Sequence, residues 1–516
     1  MIEEREDGPG PGRRDDGPRL DRRAALKGAG VLAFAAAPFG GAASFGAFAQ
    51  SPSKAKPEAV VAGAGGTTLT ETVARYAAAT SFDVLPKAVR ERAKKVIFDE
   101  IACAYFGRRT DAGRLSAQYA QRFGAGPPEA RIYGTDQVGP AHYVALANGT
   151  AGHGEEVDGT HVVGGHPGAS IVHAASAMAE RQRVSGAELI NAVVLGYDVG
   201  VRLVEACGGT FAVRDRDQVH SDFLYALGCS ASACRLLRLS ADNHRHAMAL
   251  ATFQANGLVA LFAERRHISK SFCNGQYAFA GISSAWMAEI GLEGHDDIIG
   301  TEGGVLAAWG VPEERAMVTR GLGTDFKIMS GNFKFYNAGQ PIHTPIEAAL
   351  TLLKQHEIAI ETIQSVEIGM PARPLKTVDN RDMHNISVQD MVAAYMAGGG
   401  FKIIDEPFPS MLDNPIYTRL RPLVSAKVDP DLDREFPNGR GARVTIATRA
   451  GKRFSLRIDS PRGYSTRGEI TWDDLAEKWT GSLPGADVER ALMVAVRMDG
   501  LADCRGLFDA FAGVMR

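Results

Sequence analysis

Cysteine is scarce in this chain: Cys103, Cys207, Cys229, Cys234, Cys273 and Cys504 are the six among 516 residues. So few, so widely spaced, exclude a disulfide scaffold. The run "CSASAC" at 229–234 lacks C-x-x-C spacing and a second ligand pair. These thiols therefore read as small buried hydrophobes and not as a metal or cluster site. An excess of one charge is missing as well. A net charge of −3 gives no general attraction to nucleic acid or to an anionic membrane, so any recognition of anions is local and small ligands fit best. There is no internal repeat, and the apolar stretch within residues 24–49 is too short for a permanent membrane span. No nucleic-acid partner and no stable membrane association are expected.

What is present is core material. Hydrophobic residues at 45% and charged residues at 23% are ordinary globular values, and the length exceeds what one core usually supports, so two domains are expected. The 58 glycines point to tight turns and close backbone approaches. Residues 1–49 resemble a twin-arginine export signal: Arg22 and Arg23 lead through Leu26 and Lys27 into an apolar run that ends at Ala47-Phe48-Ala49. Ala25 stands where that pattern usually has Phe. A periplasmic protein follows from this reading, and a cytoplasmic one if the signal does not function. Residues 50–67 read as a linker.

From 68 to 325 apolar residues recur at helical spacing, as in "LPKAVRERAKKVIFDEIACAYFG" and "GASIVHAASAMAERQ". Ser185 and Glu188 are spaced as a capping box for the helix that follows. Residues 326–464 change texture. A helix in "HTPIEAALTLLKQHE" is followed by a strand in "SVEIGM", a helix at 387–397, and two β-rich runs, "ARVTIATRA" and "KRFSLRI", that suggest a hairpin. Residues 465–516 turn helical again and are expected to return to the first domain. The fold expected is mainly α: a large all-α helical domain plus a smaller α+β domain.

The densest chemistry lies at 153–170, "HGEEVDGTHVVGGHPGAS", with three histidines, three carboxylates and five glycines. His153, Glu156, Asp158, His161 and His166 all carry metal-ligand atoms, but the H-E-x-x-H spacing of a zinc hydrolase is absent. A polar turn whose acids cap helices is a second reading. Proton chemistry is the third. His166-Pro167-Gly168 directly precedes an apolar helix, and a histidine there sits beside free N–H groups and a positive dipole end, which attract a carboxylate and favour the neutral, basic imidazole.

The stretch "ALANGTAGHGEEVDGTHVVGGHPGASIVHAASAMAE", followed by "SGAELINAVVLGYDVGVRL", by Lys270 in "RRHISKSFCNGQYAFAGISSAWMAEIGLEG", and by Lys334 and Tyr336 in "NFKFYNAGQPIHTPIEAAL", resembles the MmgE/PrpD family. Its members include 2-methylcitrate dehydratase, cis-aconitate decarboxylase and iminodisuccinate epimerase. The resemblance runs from about 68 to 480. It implies a homodimeric enzyme without metal or cofactor, with its site between the helical domain and a smaller lid domain. Family site positions carry over to Thr160, His166, Lys270 and Lys334, and to Glu156 and His220. The family has Asp where Glu156 stands, its G-x-H-P-T motif appears here as "QVHSDF", and Asp390 falls where it places a tyrosine.

In that frame His166 takes or returns a proton beside a substrate carboxylate. Lys270 and Lys334, facing each other across the cleft, stabilise the charge that builds there. Thr160 or Tyr336 hydrogen-bonds a hydroxyl or the enediolate. Glu156, Asp158, Asp390 and Arg266 are expected at the substrate, with Asp390 repelling a third carboxylate. Arg265, Arg266 and His267 either add positive charge or close a helix end. His153 and His161 are expected to shape the loop, His173 to be a hydrogen-bonded core histidine, and His343 to open the lid helix. The function expected is a lyase or isomerase on a small di- or tricarboxylate, dehydration or hydration first. Decarboxylation, epimerisation and a catalytically silent binding protein are the alternatives.

Overall fold

Alanine, glycine and serine on facing helices set how closely this chain packs. Where the helix Ala141–Gly152 crosses the helix Ser269–Glu289, a Cβ added at Gly275 would come within 2.1 Å of the Leu146 carbonyl, and one at Gly149 within 3.0 Å of the Gly275 Cα. Only glycine permits that approach. The crossing matters for function because His153 caps the first helix and Lys270 begins the second. The computed structural model describes residues 66–403, 408–437, 439–483 and 486–512. The expected signal at 1–49 and nearly all of the linker lie outside these residues.

The fold is mainly helical. At its centre the helix Gly186–Ala206 is buried on almost every face. Its N-terminus carries the capping box read from the sequence: the Ser185 hydroxyl accepts from the Glu188 N–H while the Glu188 carboxylate accepts from the Ser185 N–H, the reciprocal satisfaction of two orphan donors. Pro167–Gln182 and Tyr225–Leu236 pack against it, and Ser269–Glu289 packs in turn against those two. The C-terminal helices join this core, with Phe511 stacked 5.3 Å from both Phe98 and Tyr105.

A second apolar core gathers Ile346, Val366, Ile368, Met391, Val444 and Ile446. It lies under a four-stranded sheet in the order Val424–Val428, Ile363–Met370, Ala442–Thr448, Arg453–Ile458. The first pair is parallel and the rest antiparallel, with Ala442 opposite Ile458 in the hairpin. Val444 and Ile446 point inward toward the helix His343–Gln355, as the two-residue period of a strand requires. The helix expected at 387–397 is Val388–Ala394, continued by one π turn, Tyr395–Gly399. A short ladder pairs Thr160–His161 with Gly331–Asn332, tying the histidine-rich loop to the segment that carries Lys334. All six cysteines are buried and free. No helix among the described residues is long and apolar enough to cross a membrane.

Candidate active site

The loop from His153 to His166 links the helices Ala141–Gly152 and Pro167–Gln182. It is irregular yet buried, so its polar groups need partners within the protein. Glu156 shows how they are found. Its backbone adopts φ +54°, a left-handed conformation that costs a non-glycine residue about 1 kcal/mol or more. What holds it there is the buried carboxylate: Oε1 accepts from the Lys270 ammonium, Oε2 accepts from Lys334 at 2.7 Å, and the Glu156 carbonyl accepts from Lys334 at 2.9 Å. His267 Nε2 lies 3.0 Å from Oε1. Burial opposes ionisation of Glu156, but Lys270 and Lys334 outweigh it and hold the carboxyl well below its usual range. In turn Glu156 and Asp158 overcome the burial of Lys334 and raise its ammonium above the ordinary lysine value.

Asp158 organises the histidines. Fully buried, it lies 2.9 Å from both His153 Nδ1 and His166 Nδ1. Burial raises its pKa, yet His153, His166 and Lys334 prevail and keep it ionised. An ionised carboxylate only accepts hydrogen bonds, so both imidazoles present an Nδ1–H to it. Burial lowers the His166 pKa despite the pull of Asp158. At neutral pH His166 is therefore a neutral base with a fixed tautomer. It caps the helix Pro167–Gln182, and its own N–H donates to Asp222 Oδ2 at 2.9 Å.

A cavity of about 1100 Å³, counting the open space at its mouth, is lined by Glu156, Thr160, His166, His220 and Lys270 from the helical part and by Gln340, Met370, Arg381 and Arg440 from the lid. His220 is held neutral by burial and by Lys270, and its ring lies 4.9 Å from that of Phe262. The arrangement offers a base, an ammonium and a hydroxyl to one ligand.

Several expected site residues stand elsewhere. Lys270 and Lys334 do not face each other across the cleft; both grip Glu156, and Lys334 lies behind it, away from the lining. Asp158 supports the imidazoles from behind and is no substrate contact. Tyr336 belongs to the lid core, edge-on to Tyr395 at 4.9 Å. Asp390 is claimed by Arg421 and by His384 Nδ1 at 2.7 Å, because its helix turns that carboxylate toward the neighbouring segment. Arg266 is exposed, 4.0 Å from Asp111. His153, expected only to shape the loop, sits in the cluster with its ring 4.1 Å from that of His166. His161 does shape the loop, its Nε2 2.9 Å from the Lys327 carbonyl. His173 is buried, but among the described residues neither ring nitrogen has a hydrogen-bond partner, and burial pushes its pKa to about 3. His343 opens its helix as expected, with Nε2 3.0 Å from the Ala338 carbonyl.

Sequence reasoning missed Asp222, Arg214, Arg381 and Arg440. Asp222 was within reach, two residues from His220 in the flagged "QVHSDF"; the arginines belong to no motif. The ligand atoms of His153, Glu156 and His166 lie within 4.8 Å of one another, so a metal fits by distance alone. The donor set opposes it, because two ammonium groups already neutralise Glu156 and would repel a cation.

Comparison with known proteins finds one family along most of the chain. The MmgE/PrpD N-terminal domain matches residues 71–315 and the MmgE/PrpD C-terminal domain matches residues 336–495. A cis-aconitate decarboxylase of Homo sapiens is 24% identical over 462 residues, covering 82% of this chain and 90% of that protein. One from Aspergillus terreus is 25% identical over 428 residues, covering 77% and 85%. One from Mus musculus is 24% identical over 450 residues, covering 81% and 88%. With both domains matched in order across most of its length, the chain belongs to the MmgE/PrpD family.

Proposed function

We propose that this protein is a lyase acting on a small polycarboxylate by moving a proton at the carbon next to a carboxylate. The observation that carries the reading is His166: a buried imidazole held by Asp158 in the Nδ1–H tautomer, facing a cavity beside the Lys270 ammonium. Taking a proton from that carbon places a second negative charge next to an existing one. Lys270 lies where such charge gathers, and Lys334 reinforces it through Glu156. Thr160 supplies a hydroxyl that orients the substrate.

Loss of water begins with charge on the carbon whose proton is taken, whereas loss of CO2 leaves the electron pair of the broken C–C bond on the carbon that held the departing carboxylate and ends with a proton delivered to the product. Similarity to proteins named cis-aconitate decarboxylase favours decarboxylation. The hydro-lyase reading keeps its place because His220, a second imidazole in the lining, suits a substrate hydroxyl. The test is to incubate the protein with cis-aconitate, citrate, 2-methylcitrate and tartrate in deuterated water and follow the products by NMR. Solvent deuterium beside a carboxylate supports the reading; CO2 release or an alkene–alcohol exchange assigns the reaction. Thermal stabilisation by these acids without deuterium entry or conversion would instead indicate a silent binding protein. Activity is expected to survive dialysis against a chelator. We further propose a homodimer, to be checked by light scattering, and export by the twin-arginine route. Replacing Arg22 and Arg23 with lysine should then retain the precursor in the cytoplasm.

A further inference from the structure

The cavity lining carries two groups of cations, Lys270 beside His166 and the pair Arg214 and Arg381, and the His166 chemistry uses only the first. Among the described residues, Arg381 donates only to the carbonyls of Thr377 and Phe262, and the Arg214 guanidinium rests on the Phe262 ring, 4.1 Å from its centroid. Among the described residues neither forms an ion pair with a carboxylate; Asp215, which attracts Arg214 without pairing with it, is paired with the adjacent Arg373. Burial, followed by repulsion from Arg373, lowers the Arg214 pKa, the mark of a cation set among cations.

Around these cations much of the wall is apolar. Both cations lie against the Phe262 ring, Lys270 Nζ 6.0 Å and the Arg214 guanidinium 4.1 Å from its centroid, so the two can be no more than about 10 Å apart. The lid adds Met370, Pro371, Pro374 and Val378 to the lining. A compact acid with carboxylates on adjacent carbons leaves this surface wet and the arginines unanswered. Leaving two partly desolvated guanidiniums without an anion forfeits charge-assisted hydrogen bonds that a longer ligand would make.

We propose that the cavity takes a polycarboxylic acid whose far carboxylate is separated from the reacting end by an apolar segment: the reacting carboxylate at His166 and Lys270, the apolar segment against Phe262 and the lid, and the far carboxylate on Arg214 and Arg381. The inference rests on the lyase reading for what happens at the His166 end. It adds the substrate class, and the class can be tested without turnover.

Three inert acids separate the elements. Tricarballylate has three carboxylates and no apolar segment; butylsuccinate has the segment and no far carboxylate; pentane-1,2,5-tricarboxylate has both. Calorimetry at pH 7 on the whole chain should find the last bound about tenfold or more tighter than either of the others, the return on one charge-assisted contact. Arg214→Gln should bring its affinity down to that of butylsuccinate and leave tricarballylate unchanged. Arg381→Gln is the second variant should the first fail to fold. Tricarballylate binding as tightly as the longer acid, equal binding of all three, no binding at all, or a ranking untouched in both variants would overturn the proposal. If the ranking holds while neither the compact acids nor a 2-hydroxy derivative of pentane-1,2,5-tricarboxylate exchanges deuterium, the lyase reading fails and the ligand class stands. If compact acids exchange deuterium and the ranking is reversed, the ligand class fails and the lyase reading stands.

Discussion

The two ends of the cavity handle charge in opposite ways. At the His166 end the cations answer acids: Lys270 and Lys334 share Glu156, and Asp158 supports two imidazoles. At the Arg214 end, among the described residues, Arg381 donates to two carbonyls, Arg214 rests on an aromatic face, and neither is ion-paired with a carboxylate. A buried network whose members satisfy one another is rigid and holds its protonation states. Cations that outnumber the acids near them are open to an anion that arrives from outside. The first arrangement suits chemistry, which needs a base in one tautomer at one place; the second suits recognition.

Breaking the compensated end at its base should have the largest effect. His166→Gln keeps a polar side chain but removes the lone pair that takes the proton. Turnover should fall about 10²–10⁴-fold, with an unchanged melting temperature. Turnover within a fewfold of the parent in a folded variant would reassign His166 to structure.

Next in size is Lys334→Met. The ammonium lies 2.7 Å from Glu156 and 3.8 Å from Asp158, with 1% of its side chain exposed, so deletion leaves buried carboxylates short of a partner. A loss of about 3–5 kcal/mol in unfolding free energy is expected, measured by urea titration. Lys270→Met, nearer the cavity, should cost less stability and more turnover. Equal effects of both variants on stability would show that the network does not depend on its buried member.

How much of this was legible in the sequence depended on distance along the chain. The Ser185–Glu188 box, the 442–458 hairpin and the position of His166 at a helix start are local, and local periodicity and capping chemistry reveal them. The partners of Glu156 are not local: Lys270 is 114 residues away and Lys334 is 178. Only the family resemblance brought them together, and it could not say that both hold one carboxylate. Arg214 and Arg381 had no signal at all, since an arginine amid other charged residues looks like solvated surface until the fold turns it inward. His153 was underrated for a related reason. Spacing places it five residues from Asp158, but nothing in the spacing tells that Asp158 would serve two imidazoles at once.

Acid pH should distinguish the buried histidines from the rest. Burial pushes His161 to about 4 and His173 and His343 to about 3, while each titrates near 6.5 in the unfolded chain. Between those values the unfolded state binds more protons, so stability rises with pH. It is fully present above about 6.5 and is lost as pH falls toward the folded values, at up to ~1.4 kcal/mol per pH unit for each group. The depressed carboxyls Glu156 and Asp158 add their own loss only below about 4.5, where they titrate when unfolded. His173→Leu removes one histidine from the first window and a buried imidazole that has no hydrogen-bond partner. The plot of unfolding free energy against pH should flatten by about one proton between pH 6 and 4, with no loss of stability at pH 7. An unchanged slope would mean that His173 finds a proton acceptor in the folded protein.

The smallest effect on catalysis is expected from Asp390→Asn, and it sharpens the comparison from the side of the lid. Read as a substrate contact, Asp390 would repel a third carboxylate, and its amide would relax discrimination against tricarboxylates. The structure gives that charge another purpose: Arg421 and His384 hold it, its N–H takes a cap from Ser387, and it does not line the cavity. Removing the charge should weaken the Arg421 contact and cost on the order of 1–3 kcal/mol of stability, less where Arg421 is screened by water. The ratio of kcat/KM for a compact tricarboxylate over a dicarboxylate should not move. In the same assay Arg214→Gln should leave that ratio alone as well but lower kcat/KM for an acid long enough to reach it, because its charge belongs to the ligand and that of Asp390 to the fold. A ratio shifted by Asp390→Asn, with the longer acid untouched by Arg214→Gln, would reverse these assignments and place the selecting charge in the helix Val388–Ala394.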